Sequence, residues 1–516
     1  MNGAEALIGS AISRGIEICF ANAGTTELPI VVAMDRIGGI KAVLGLFEGV
    51  CTGAADGYGR LSEKPAMNLL HMGPGFANGI ANLHNARRAN TPILNIIGEH
   101  ATWHRPADPP LAMDIEGLSA TVSSWTCTNK VPSDLPLDVA NGISIALGGR
   151  IASLIVPHDH QLAACNGGSP EPTERRFDPT DEGEVKEAAE LLKKRNRTAI
   201  LLGPRALKKE GLVLAAEIQG LTGCDLLAET FPSIIERGVG LPDIERIPYF
   251  PEKAVEMLSG YEGMVLAGAR EPMAFFGYPG GVSKIMREDQ VKAPLGTRRQ
   301  DVIEAMALLI DILKSVRKTR PRDKKVYDSG HPGLPDGELD PAKVCQTLAA
   351  LQPEGAIIVE EGLTTSMDYY ALTAGLPPHT ILSITGGAIG YGMPCATGAA
   401  LACPDRPVIN FQADGSAMYT VQALWTQARE GLNITTLLCS NRAYKILKVE
   451  LERAGIKRPG MNTQALTDLT GPDIDWVKTA GGFGVPAVSV TRAREFAHAL
   501  KRGLLEPGPF LIEILL

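Results

Sequence analysis

Val408-Ile409-Asn410-Phe411, followed by Asp414-Gly415-Ser416, and Leu437-Leu438-Cys439, followed by Asn441, carry the reading of this chain. Each is a short apolar run with a polar residue just past its end. Val421 to Glu430 lies between them and reads as a helix, so the two runs form neighbouring parallel strands of one strand–helix–strand unit. The Asp414 carboxylate and the Asn441 amide oxygen then stand at the carboxyl ends of those strands, where open α/β sheets bind ligands. Hard oxygen donors on a small, flexible backbone suit Mg²⁺ held against a diphosphate. A D-G-S triplet alone also serves an ordinary strand-to-helix turn, so its weight depends on what accompanies it.

A second motif accompanies it near the amino terminus. Leu44-Gly45-Leu46-Phe47-Glu48-Gly49 runs into Ala54-Ala55-Asp56-Gly57-Tyr58-Gly59-Arg60. Glu48 sits where a strand gives way to a glycine-rich helix, flanked by apolar and small residues. A carboxylate so placed is partly desolvated, which favours a shared proton. The bland alternative is an ordinary first-turn helix residue.

Together the two motifs resemble thiamine-diphosphate enzymes of the acetolactate synthase, pyruvate decarboxylase and benzoylformate decarboxylase superfamily. The resemblance spans nearly the whole chain and is nearest to the benzoylformate decarboxylase branch. Asn22-Ala23-Gly24-Thr25-Thr26-Glu27-Leu28-Pro29 is similar to that branch's N-P-G-S-N-E-L-P stretch, and Asn68-Leu69-Leu70-His71 with Gly73 to Asn78 to its N-L-H loop. Asp414 to Met418 and Ala423-Leu424-Trp425-Thr426 follow its G-D-G-S…A-L-W-T run.

Length and composition fit such an enzyme. The 516 residues provide for about two or three domains. Hydrophobic residues make up 45% and charged residues 21%, as in ordinary soluble globular proteins. A net charge of −8 with no basic stripe argues against a phosphate-backbone binder, so no nucleic-acid partner is expected. The nine cysteines are scattered singly without a C-x-x-C, which points to neither zinc nor a disulfide framework. The first residues, Met1-Asn2-Gly3-Ala4-Glu5, lack a basic and an apolar leader region, and no run of about 18 apolar residues follows. A cytoplasmic protein with no membrane partner is expected.

Two breaks divide the chain. Asn166-Gly167-Gly168-Ser169-Pro170-Glu171-Pro172-Thr173 reads as a linker, and Lys314 to Pro341, basic and proline-rich, as an exposed connector. The expected architecture is α/β: three doubly wound parallel-sheet domains over 1–165, 180–313 and 338–516. The first has apolar runs at 18–20, 42–44, 66–70, 93–97 and 154–156, alternating with helical stretches. The last repeats the theme at 356–359, 408–411, 434–439 and 510–515. The middle piece offers 199–202 and 264–267, with turns at Gly203-Pro204 and Gly268-Ala269. No G-x-G-x-x-G appears there, so a cofactor-free spacer is favoured over a nucleotide site.

The resemblance implies roles for particular residues. The first domain would be the pyrimidine-binding (Pyr) domain and the last the diphosphate-binding (PP) domain. Glu48 would hydrogen-bond the cofactor's aminopyrimidine, whose imino form removes the thiazolium proton. Thr385-Gly386-Gly387-Ala388-Ile389-Gly390-Tyr391 would supply the Gly387 carbonyl for the amino group and Ile389 as the wedge beneath the bent cofactor. Asn22 and Gly24 would face the cofactor from the first domain. Asp414, Asn441 and the Ala443 carbonyl would bind Mg²⁺, with Gly415, Ser416, Tyr444 and the loop Glu361-Gly362-Leu363-Thr364 on the diphosphate. Two departures stand out: Ala413 replaces the usual first glycine, and Ser440-Asn441 the usual N-N pair. Lys445 replaces a glycine.

His71 matches a family histidine that faces the reacting carbon, and imidazole suits proton transfer near neutral pH. Thr25 matches the family's active-site serine, placed to hold the substrate carboxylate or carbonyl. His100 and His104 follow the 93–97 strand and are candidates for the cleft mouth. The branch's second histidine is missing: Ala274-Phe275-Phe276-Gly277-Tyr278-Pro279-Gly280 has phenylalanine there. Phe275, Phe276, Tyr278, Ile446 and Leu447 would make an apolar substrate wall. The expected activity is thiamine-diphosphate- and Mg²⁺-dependent decarboxylation or carboligation of a 2-oxo acid, with an aldehyde as acceptor in the second case. The alternatives are an acetolactate synthase-like ligase, an acyl-CoA lyase, or a cofactor-binding partner protein without turnover. The resemblance further implies a homodimer or homotetramer, with Glu48 of one subunit meeting Asp414 of the other.

Overall fold

The computed structural model describes residues 1–165, 177–297, 300–315 and 330–516. Both expected breaks fall largely outside these: the 166–173 linker wholly, and the basic 318–325 run of the second connector. The chain divides into two compact units, the first comprising Met1–Arg175, His331–Leu372 and Ile384–Leu516, the second Arg176–Gly330 and Thr373–Ser383. Three parallel sheets are distributed over them, as the alternation of apolar runs and helices predicts.

The first unit opens with strands β1 (Ile18–Asn22), β2 (Lys41–Leu44), β3 (Ala66–Leu70), β4 (Ile93–Glu99), β5 (Trp125–Thr128) and β6 (Ile151–Pro157). They pair in the order β2-β1-β3-β4-β6-β5, all parallel. β3, β4 and β6 are buried along their whole lengths, which explains their nearly continuous apolar sequence. The polar exceptions form a ladder. Asn68, Asn95 and Ser153 lie side by side in register, Asn68 Nδ2 donating to Asn95 Oδ1 at 2.9 Å and Asn95 Nδ2 to Ser153 Oγ at 3.0 Å. Pairing across the strands meets most of the hydrogen-bonding demand that burial creates.

The second unit holds β7 (Thr198–Leu202), β8 (Asp225–Ala228), β9 (Ile235–Arg237), β10 (Glu245–Arg246), β11 (Gly263–Ala267) and β12 (Val291–Leu295). β10-β8-β7-β11-β12 form its parallel sheet. Later in the chain β13 (Ile357–Glu361) returns to the first unit, while β14 (His379–Ser383) pairs antiparallel with β9 in the second. The first unit's other sheet is completed by β15 (Val408–Ala413), β16 (Ile434–Ser440), β17 (Ala487–Val490) and β18 (Phe510–Leu515), parallel in the order β17-β18-β16-β15-β13.

The two sheets of the first unit share a core. The Glu48–Ser62 helix lies against the Gly392–Ala402 helix, and small residues let them touch. A Cβ on Gly57 would strike the Cys395 carbonyl, and one on Gly398 the Ala54 carbonyl. Val50 from the first sheet's layer joins Met393, Ala417, Leu424, Leu438 and Trp476 in a single apolar cluster. The helix that begins at Glu48 is thereby fixed to the layer that carries Asp414.

Candidate active site

Glu48 is the first residue of its helix. Phe47 before it is extended (φ −154°, ψ 137°), and Glu48 itself is only 8% exposed. Its Oε2 accepts a hydrogen bond from Asn78 Nδ2 at 3.0 Å. Around it the Met72–Ala89 helix closes in: Thr52 Oγ1 donates to the Gly79 carbonyl at 2.9 Å and Asn82 Nδ2 to the Gly49 carbonyl at 2.9 Å. Burial also pushes the neighbouring Cys51 thiol up to about 12, with the Glu48 charge adding to the effect. Glu48 is thus a buried acid at a helix start with a neutral amide as its hydrogen-bond partner.

His71 follows β3 directly and caps the start of the Met72–Ala89 helix. Its Nδ1 lies 2.8 Å from Oε2 of Glu27, which is fully buried. Glu27 also accepts from Thr26 Oγ1 at 2.6 Å and from the Gly24 N–H at 2.9 Å. Gly24 is required here, since a Cβ would occupy the imidazole's place. A carboxylate on Nδ1 fixes that nitrogen as the protonated one and leaves the Nε2 lone pair for chemistry. Thr25 does not join this group. It is exposed and lines a groove with Leu28 and Val32, while the hydroxyl 3.4 Å from His71 Nδ1 is that of Thr26. Thr25, Thr26 and Glu27 form one 3₁₀ turn, in which successive side chains point about a third of a turn apart. Only one threonine can face His71. Asn22, at the end of β1, is partly exposed beside this turn.

The 385–391 loop is held on two sides. Asn85 Nδ2 donates to the Ala388 carbonyl at 2.8 Å and its Oδ1 accepts the Ala388 N–H at 3.2 Å, while His84 Nε2 lies 3.2 Å from the Gly386 carbonyl. From β13, Glu361 accepts the N–H groups of Gly390 (2.8 Å), Tyr391 (3.1 Å) and Gly392 (2.6 Å) and the Gln412 amide (2.8 Å). Burial pushes the Glu361 carboxyl up and these hydrogen bonds oppose it. Gly387 and Gly390 take φ of +75° and +89°, leaving Ile389 partly exposed between them. Glu361 thus anchors this loop from the interior and is not itself available to a diphosphate. Gly362, Leu363 and Thr364 follow it, Leu363 with φ +48°.

Asp414 begins a short helix after β15 and is 3% exposed. Burial pushes its carboxyl up, although it accepts the Gly415 N–H at 2.8 Å and the Arg442 N–H at 2.7 Å. Arg442 has φ +54°, so the backbone turns its amide toward Asp414, while its guanidinium pairs with Asp473 at 3.1 Å. Asn441 Oδ1 accepts the Ala443 N–H at 3.0 Å. A Cβ on Gly415 would press on the Tyr444 ring at 2.6 Å, so the D-G-S turn, Asn441 and Tyr444 form one cradle. Ser416 is buried within it. A buried acid met by backbone amides, beside an amide oxygen and a carbonyl, fits a hard divalent cation. Among the described residues no group of three or more His, Cys, Asp or Glu makes a soft-metal site.

Of the expected substrate wall, Phe275 and Phe276 belong to the second unit, where they cluster with Phe231, Tyr249 and Phe250 at ring separations of 5.2 to 5.9 Å. Ile446 and Leu447 belong to the first unit, on the Lys445–Arg453 helix, which buries none of its residues. Lys445 is exposed at its start. Sequence reasoning passed over Glu27, Thr26, Asn78 and the anchoring role of Glu361. Glu27 had a signal, an acid directly before Leu28-Pro29 at a helix start, but its burial depends on β4.

Comparison with known proteins shows the family. Residues 1–118 match the family model "Thiamine pyrophosphate enzyme, N-terminal TPP binding domain", and 363–514 the corresponding C-terminal TPP binding domain. A Mycobacterium tuberculosis protein provisionally named acetolactate synthase large subunit IlvX is 43% identical over 520 residues, covering 100% of this chain and 99% of its own. Benzoylformate decarboxylase of Pseudomonas aeruginosa is 26% identical over 97% of this chain and 96% of its own. Among solved structures, a thiamine diphosphate-dependent 4-hydroxybenzoylformate decarboxylase from Rhodococcus jostii superposes with a TM-score of 0.85 at 23% identity, covering 99% of this chain and 98% of that one.

Proposed function

The chain belongs to the thiamine pyrophosphate enzyme family, and on that premise we propose that it is a thiamine-diphosphate- and Mg²⁺-dependent decarboxylase or carboligase of a 2-oxo acid. Thiamine diphosphate, when bound, supplies an electron sink for the bond to the departing carboxylate. Glu48 would hold the aminopyrimidine end, with the Gly387 carbonyl and Ile389 as further contacts. Asp414, Asn441 and the Ala443 carbonyl would hold the metal. Gly362, Leu363, Thr364, Gly415, Ser416 and Tyr444 would contact the diphosphate, and Asn22 and Gly24 the cofactor from the first sheet. The domain bounds are 1–165, 180–313 and 338–516, and the assembly a cytoplasmic homodimer or homotetramer.

The observation that carries this reading is the His71–Glu27 pair at 2.8 Å, since a carboxylate-backed imidazole is equipped to take and return a proton at a reacting carbon. Thr26 takes the place expected of Thr25 beside it. An acetolactate synthase-like ligation is the second reading, favoured by the 43% identity to the Mycobacterium tuberculosis relative. Carbon dioxide release from a panel of 2-oxo acids, with and without an aldehyde, separates the two. Release that proceeds to aldehyde product supports decarboxylation. Release only when a second carbonyl compound is consumed identifies the ligase, and none from any acid refutes both.

A further inference from the structure

A third titratable cluster lies beside His71 and has no place in the roles above. β3 and β4 are adjacent parallel strands, so their carboxyl ends deliver His71 and Glu99-His100 to the same edge of the sheet. The backbone brings them close: a Cβ on Gly98 would run into the Glu27 carboxylate that holds His71 and lie 2.9 Å from Thr26 Oγ1. The His100 ring packs edge-on against His104 at 5.5 Å, and His104 lies 5.4 Å from the exposed Trp103 ring. Glu99 is 2% exposed, accepts the His100 N–H at 2.7 Å and stands 3.7 Å from Arg105 Nε. Across the loop, Asp159 accepts the Thr102 N–H at 3.0 Å. The charged and titratable groups around His100 are therefore His71, His104, Glu27, Glu99, Arg105 and Asp159.

One atom in this cluster lacks an explanation. His100 Nε2 is buried and has no hydrogen-bond partner among the described residues. A desolvated imidazole nitrogen left without a partner is costly in a merely structural role. Burial lowers the pKa of His100, His104 and His71 add to that by repulsion, and Glu99 opposes it.

We propose that His100 is a proton relay acting through His71, passing one proton between the His71 ring and solvent by way of His104. Phe275 stands in the sequence where the resembled branch has its second histidine, and the relay would supply a second imidazole from within the first unit. It rests on the reading of His71 as the acid–base group of a 2-oxo acid decarboxylase. The proton balance is simple. The proton that His71 receives leaves through His100, and the proton it donates returns by the same path, with no other reactant.

The test uses the full-length protein loaded with thiamine diphosphate and Mg²⁺, its histidines labelled with ¹³C at Cε1, together with His100→Gln and His104→Gln. In the wild type the His71 resonance should show a second inflection where His100 titrates, as coupled sites do, and His100→Gln should remove it. With benzoylformate as the probe, His100→Gln should lower kcat by about tenfold or more, with KM little changed, and shift the acid limb of the pH profile. His104→Gln should give a smaller loss in the same direction. A His71 titration unaltered by His100→Gln, with kcat and its pH profile intact, overturns the relay. If the wild type releases no carbon dioxide, the decarboxylase reading fails, and the presence or absence of the coupled titration still decides whether His100 is linked to His71.

Discussion

Glu48 and Asp414 are both buried acids in different surroundings, and the proposed function gives them different work. Asn78 gives Glu48 a neutral partner, so replacing its carboxyl with an amide preserves the shape and removes the shareable proton. Glu48→Gln should retain cofactor but lose about 10²-fold or more in kcat. Equal retention of cofactor and activity would remove Glu48 from the chemistry. For Asp414 the prediction is a pH dependence. Burial raises its pKa above the ordinary 3.8, so the folded, metal-free protein holds that proton more tightly than the unfolded chain. The stability it contributes is complete below the unfolded value and is lost as pH rises through the raised folded value. Mg²⁺ favours the ionised form and acts against that loss. The increase in Tm on adding Mg²⁺ with thiamine diphosphate should grow as pH rises from about 4 and then level off. An increment that is flat across the acid range, or unchanged in Asp414→Asn, would contradict the assignment.

At the scale of elements, the Glu48–Ser62 helix is held by a buried ion pair. Arg60 and Asp56, side chains 1% and 0% exposed, pair at 2.5 Å, and Arg60 Nη1 also donates to the Tyr391 hydroxyl at 2.9 Å. This contact ties the helix bearing Glu48 to the loop bearing Ile389. Arg60→Met should destabilise by about 3–5 kcal/mol in denaturant titration, because it leaves Asp56 buried without its cation. Asp56→Leu with Arg60→Met should cost less than that single change, and a costlier double variant would show that packing, not charge, dominates. Much of this was legible in the sequence. Continuous apolar runs marked β3, β4, β15 and β16, and Glu48, His71 and Asp414 stand where strand gives way to helix. The choice between Thr25 and Thr26 was not legible, because it depends on the phase of a 3₁₀ turn packed against β4. Nor was Glu361, whose role as an anchor requires the 385–391 loop to fold back over β13. Local pattern gives the strand ends, but pairing between distant segments decides which side chain faces inward.

For the whole molecule, one chain fixes the Glu48 helix to the Asp414 layer through the shared cluster of Val50, Met393, Leu424 and Trp476. We propose that in the assembled enzyme each cofactor is gripped by Glu48 of one subunit and Asp414 of its two-fold partner. Mixing Glu48→Gln with Asp414→Ala subunits should then restore about one intact site per heterodimer, recovering activity that neither variant has alone. Mixed samples no more active than the separate variants would place both residues in a site within one chain. We propose that the apolar side chains of Ile446 and Leu447 set the substrate preference. Phenyl- or branched-alkyl 2-oxo acids should exceed oxaloacetate and 2-oxoglutarate in kcat/KM, since burying an unpaired charge costs several kcal/mol.

The central claim, that Glu48, His71 and Asp414 serve one cofactor-dependent reaction, is tested most directly by carbon dioxide release from benzoylformate by protein stripped of metal and cofactor. The account predicts no release from the stripped protein, recovery only when thiamine diphosphate and Mg²⁺ are supplied together, and loss of that recovery in both Glu48→Gln and Asp414→Ala. Release without either addition, or full recovery in the two variants, would contradict it.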